Sequence, residues 1–135
     1  MELIYPMFAM VVLTLVVGLM TAYKRISGAK KGELDPRYFR LMAGYDVSSK
    51  LVQLGRNFDN LFQVPVLFYV VCVLAITMQL SNGFLVLMAW VFVVLRVVHS
   101  VIHITYNHPL HRFLPFVLSF MIVFSMWVNL VASVN

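Results

Sequence analysis

Residues 84–106 read FLVLMAWVFVVLRVVHSVIHITY, an apolar run of spanning length into which Arg96, His99 and His103 are set. A helix that crosses a bilayer needs about 20 mostly apolar residues, so this stretch predicts a membrane span with three polar anomalies. Working outward, the runs Leu3 to Tyr23, Leu61 to Leu80 and Phe113 to Ala132 meet the same criterion. Of the 135 residues, 62% are hydrophobic and only 11% charged, with a mean hydropathy of +0.93. A domain this small cannot hide so much apolar surface from water, and lipid must take the excess. The expected fold class is therefore all-α: an integral membrane four-helix bundle forming a single domain over residues 1–135. Its spans are 3–23, 61–80, 84–106 and 113–132, and a long polar loop covers 24–60.

The first run is expected to be a retained helix and not a cleaved signal peptide, because it opens on Glu2 instead of basic residues and its apolar length exceeds that of a signal core. A formal charge of +5 invites a nucleic-acid reading, yet the cations flank the spans. Lys24, Arg25, Lys30, Lys31, Arg37, Arg40, Lys50 and Arg56 precede the second span and Arg112 precedes the fourth, whereas the Ser81-Asn82-Gly83 turn and both termini carry none. Membrane orientation explains that distribution: the basic loop is expected inside and both termini outside. Cys72 is the single cysteine, so no disulfide framework is expected, and thiol chemistry would need a thiol brought in by a ligand.

Within the loop, Asp35-Pro36 has the chemistry of a helix start and predicts a short interfacial helix with Tyr38, Phe39, Leu41 and Met42. Asp46 or Ser48 is expected to cap a helix running from about Ser49 through Asn60 into the second span, with a kink at Pro65. Asn82-Gly83 and Asn107-His108-Pro109 mark tight turns, and no internal repeat or low-complexity segment is present.

Ionisable groups in a membrane are costly and tend to face the bundle interior. Arg56, Asn60 and Gln63 recur at i, i+4 and i+7, and Arg96, His99 and His103 at i, i+3 and i+7, so each set shares one helix face. Arg112 opens the fourth helix at similar depth. Three arginines and two histidines with only Asp59 as a nearby carboxylate predict a site for an anionic small molecule, its carboxylates clamped by guanidinium groups. The alternative for the same residues is bland: interfacial arginines, with Arg96 and the histidines bonding carbonyls across helices. His99 and His103 also stand at a spacing that suits a metal ion, but no further ligand type lies at comparable depth, and no metal site is expected.

The string RNFDNLFQVPVLFY over residues 56–69 resembles the signature of the membrane-associated proteins in eicosanoid and glutathione metabolism, the family of microsomal glutathione transferases and leukotriene synthases. That signature runs Arg, three residues, Asn, two residues, Glu, then Pro; Arg56, Asn60 and Pro65 fit, and Gln63 stands where Glu is usual. Downstream the family's Arg-x-x-Tyr-x-x-x-Tyr reads as Arg96, His99 and His103, followed by Arg112 and Pro115. The resemblance covers nearly the whole chain. It implies a homotrimer, with glutathione as cosubstrate held by Arg56, Asn60, Gln63, Arg96, His99 and His103. It also implies a thiolate, favoured by Arg112 as the catalytic residue, that attacks lipophilic electrophiles or hydroperoxides. The implied partners are a second and third copy, membrane lipids and lipophilic small molecules, not nucleic acid; for a bacterial-type member the location is the inner membrane.

Two functions are consistent with this sequence. One is the glutathione-dependent transferase or peroxidase; the other is a non-catalytic membrane protein of the same fold that binds an anionic lipid or metabolite. Gln63 is a neutral amide where a carboxylate would meet the ammonium of glutathione, and the two histidines can titrate near neutrality. A small proton-coupled exporter is set aside, because the first span has no embedded carboxylate.

Overall fold

The computed structural model describes residues 2–42 and 45–134. The chain folds as α1 (Ile4–Lys30), α2 (Tyr38–Leu41), α3 (Ser49–Asn60), α4 (Val64–Thr77), α5 (Gly83–Ile104) and α6 (Pro109–Val134). Four segments are long and apolar enough to cross a membrane: α1, the α3–α4 pair over Ser49–Thr77, α5 and α6. Among the described residues there is no strand, and the fold is an all-helical membrane bundle.

Local chemistry sets the helix starts. The Ser48 hydroxyl accepts the Leu51 N–H at 3.4 Å, and the Asn82 side-chain oxygen accepts the Leu85 N–H at 2.9 Å, each satisfying a donor that a helix start leaves free. Pro109 opens α6, where its missing N–H costs nothing. Before α2, Asp35 accepts the Arg37 N–H at 2.8 Å and pairs with its guanidinium at 2.9 Å, which holds the Asp35 carboxyl below the usual carboxylate range. Asn107 makes the α5–α6 turn with φ of 50°, a left-handed conformation that asparagine tolerates.

The second span is not one bent rod. Pro65 offers no N–H to the Leu61 carbonyl, and the chain leaves α-helix over residues 61–63, with Gln63 at φ −95° and ψ −92°. The interruption therefore falls before Pro65, and α4 starts afresh with the proline in its first turn.

Leu3 at the N-cap of α1 and Met10 and Val17 within it meet Phe68, Val71 and Cys72 of α4, Leu85, Ala89 and Phe92 of α5, and Val123 and Met126 of α6 in one core. Phe68 stacks on Phe92 with ring centroids 4.4 Å apart. Outward-facing Phe8, Leu15, Leu87, Val94, Met121 and Phe124 form the surface that meets lipid. Several hydroxyls in the spans bond carbonyls of their own helices, as Thr21 does to the Val17 carbonyl at 2.8 Å, whereas the buried Ser100 hydroxyl on α5 has no partner.

Candidate functional site

The polar groups gather at the end of the bundle where α5 ends and α6 begins. On α5, Arg96, His99, Ser100 and His103 are all buried, Arg96 completely. Arg96 reaches across to the break in the second span, where its Nη2 donates to the Asn60 carbonyl at 2.9 Å. In a continuous helix the Val64 N–H would bond that carbonyl; at the break the Gln63 N–H reaches it only at 3.5 Å, and the arginine supplies the shorter bond. The Arg96 Nε and Nη1 atoms have no partner, and its guanidinium lies 5.9 Å from the centre of the Phe116 ring.

Both imidazoles are tied to Arg112. His99 Nδ1 stands 2.8 Å from the Arg112 backbone oxygen. A carbonyl can only accept, so Nδ1 carries the hydrogen and Nε2 presents a lone pair, which has no partner. His103 Nε2 lies 3.4 Å from Arg112 Nη1, and a guanidinium can only donate, so there the Nε2 accepts. The same Nη1 donates to Asn107 Oδ1 at 2.8 Å, which orients the Arg112 side chain from the turn just before α6.

These groups enclose a cavity of about 660 Å³. Arg56, Asp59 and Asn60 of α3 and Gln63 of the break form one wall; His99 and His103 form the second; Pro109, Leu110, Arg112, Phe113 and Phe116 of α6 form a third, largely apolar one. Six of the seven residues singled out from sequence line it. Arg96 does not; it sits behind the wall on the Asn60 backbone. Asp59, Asn107 and Phe116 were not counted as site residues by sequence reasoning, although Phe116 follows Arg112 at i+4 and so shares its helix face.

The cavity is short of negative charge. Arg56, Arg112 and the buried Arg96 are accompanied by one carboxylate, Asp59, and among the described residues the ion pair is Arg37–Asp35. Unpaired guanidinium groups beside an apolar wall suit a ligand with carboxylates and a lipophilic part. A second cavity of about 690 Å³, almost wholly apolar, lies where Val11, Leu15 and Gly18 of α1 face Phe58, Phe62 and Tyr69. Gly18 permits that approach: a Cβ there would come within 2.9 Å of the Phe58 ring. The His108 and His111 rings lie 4.4 Å apart at a 40° tilt, with His111 also 3.2 Å from the Tyr106 hydroxyl; among the described residues no three histidines, cysteines or acids gather as a metal site.

Compared with known proteins, residues 3–132 match the model of the MAPEG family. No curated protein and no solved structure matches the chain.

Proposed function

The chain belongs to the MAPEG family, and on that premise we propose that it is a membrane-bound glutathione-dependent transferase or peroxidase acting on lipophilic electrophiles or hydroperoxides. The observation that carries this reading is the cavity in which Arg56 and Arg112 face a space holding a single carboxylate. Glutathione brings two carboxylates and a thiol. Arg56 and Arg112 bind the carboxylates, the amides of Asn60 and Gln63 and the imidazole of His103 orient the peptide, and Arg96 holds the backbone that presents Asn60. Arg112 also favours thiolate over thiol by placing positive charge beside the sulfur. Lipophilic cosubstrates partition into the bilayer and reach the sulfur past Phe113 and Phe116.

The same reading takes the chain as one domain that works as a homotrimer. Arg56, Asp59 and Gln63 are polar groups exposed on the flank of the protomer, near the start of the Ser49–Thr77 span. A neighbouring copy covering that flank shields them from lipid.

Titration calorimetry of the detergent-purified protein with glutathione tests the proposal. Saturable heat is expected from wild type, with affinity about tenfold or more lower in Arg56→Ala and Arg112→Ala, as loss of a charge-assisted hydrogen bond implies. Absence of heat from wild type would sink it. The non-catalytic reading is favoured by one feature, the neutral Gln63 amide in the wall; under it glutathione or another anion binds, but conjugation to an aryl halide stays at background.

A further inference from the structure

Among the groups lining the cavity, one imidazole nitrogen has a lone pair with nothing to accept: His99 Nε2. Its state is fixed by a neighbour, because the Arg112 carbonyl at 2.8 Å holds the ring hydrogen on Nδ1. The residue is only 3% exposed, so water does not reach it freely. His103 is not equivalent, since the Arg112 guanidinium already occupies its Nε2. The amides of Asn60 and Gln63 are not bases, and Asp59 is exposed on α3.

We propose that His99 is the base that takes the thiol proton of the bound cosubstrate, an inference that rests on the glutathione reading above. The S–H bond breaks, the proton forms a new N–H bond at Nε2, and the electron pair stays on sulfur as the thiolate. The charges around His99 explain why transfer is coupled to binding. Arg56 and Asp59 stand on α3, Arg96 and His103 on its own helix, and Arg112 on α6. A lone imidazolium there would add a cation to a site with one carboxylate. Transfer from a thiol creates its anion in the same step, so the site's net charge does not change. As sulfur forms its bond to the electrophile and the halide or alkoxide bond breaks, Nε2 gives the proton to that departing anion.

The test combines the ultraviolet absorbance of the thiolate, followed after rapid mixing with glutathione, and calorimetry in two buffers of different ionisation heat, which counts protons released. Wild type is expected to form thiolate while releasing no proton, because His99 keeps it. His99→Asn retains a side-chain N–H for the Arg112 carbonyl but replaces the basic nitrogen with a non-basic amide; it should form thiolate about 100-fold more slowly, the scale of a lost general base. S-methylglutathione, which has no thiol, reports whether each protein still binds the peptide, and the thiolate rates are compared at saturation of each. Release of one proton per thiolate by wild type overturns the proposal, as does thiolate formation at the wild-type rate in His99→Asn. If that variant fails to bind S-methylglutathione it has lost its site, and the wild-type proton count alone decides. Wild type giving no heat with glutathione removes the cosubstrate and the base together, whereas heat with a released proton removes His99 alone.

Discussion

Gln63 concentrates the difference between a pocket that merely holds an anion and one that holds a zwitterion. It is exposed, lines the cavity and is neutral, so it can bond an ammonium but not balance its charge. Gln63→Glu should therefore bind glutathione about tenfold more tightly, the scale of a hydrogen bond to a charged group, and leave the affinity for N-acetylglutathione unchanged, which calorimetry on the two ligands would show. Equal weakening for both ligands would mean that the new carboxylate pairs with the cavity arginines instead. At this scale the sequence was legible where side-chain spacing decides. The i, i+4, i+7 stripe of Arg56, Asn60 and Gln63 and the pair His99 and His103 do converge, although Gln63 reaches the cavity from beyond the end of α3. Arg96 was less legible. Its stripe put it with the histidines, but its nearest need is a backbone carbonyl, and residue spacing does not reveal where a carbonyl becomes free.

Elements were easier to read than sites, because membrane spans are dictated by length and hydropathy while their interruptions depend on single backbone donors. The short helix after Asp35-Pro36, the Ser48 cap and the Asn82 turn follow from residues with strong local preferences, whereas α6 starts at Pro109, within the expected turn and before Arg112. Pro65 announced a disturbance in the second span without saying that three residues would leave the helix before it. That break does more than kink a rod. It loosens the bonding of the Asn60 carbonyl, which Arg96 then reaches, and brings Gln63 to the cavity wall. At the opposite end of the bundle, Asn82 caps α5 and its Nδ2 donates to Asn129 Oδ1 at 3.0 Å, tying α5 to α6. Asn82→Ala should lower stability by about 1 kcal/mol, the usual value of an N-cap, measured by thermal unfolding in detergent. Because the site lies one bilayer thickness away, glutathione affinity should not change; a loss of affinity would show that this end of the α5–α6 pair controls the cavity.

For the molecule as a whole, the distribution of charge relative to the spans decides which way the cavity faces. Eight of the ten Lys and Arg residues lie between Lys24 and Arg56, and the turn between α4 and α5 has none. Cations adjoining short loops stay on the cytoplasmic side, and acidic residues contribute little to the choice. By this rule we propose that the loop following α1 and the turn preceding α6 lie inside with the cavity, and both termini outside. A glutathione enzyme needs that arrangement, since its cosubstrate is drawn from the cytoplasm. Cys72 is buried, so a Cys72→Ala background gives a clean starting point for single cysteines. In intact cells, a membrane-impermeant thiol reagent should label Gly83→Cys, at the α4–α5 turn, and should label Lys31→Cys only after the membrane is opened. The reverse pattern would place the cavity outside, away from cytoplasmic glutathione. The fold would stand, because hydropathy and packing are indifferent to orientation, but the thiol chemistry would lose its supply.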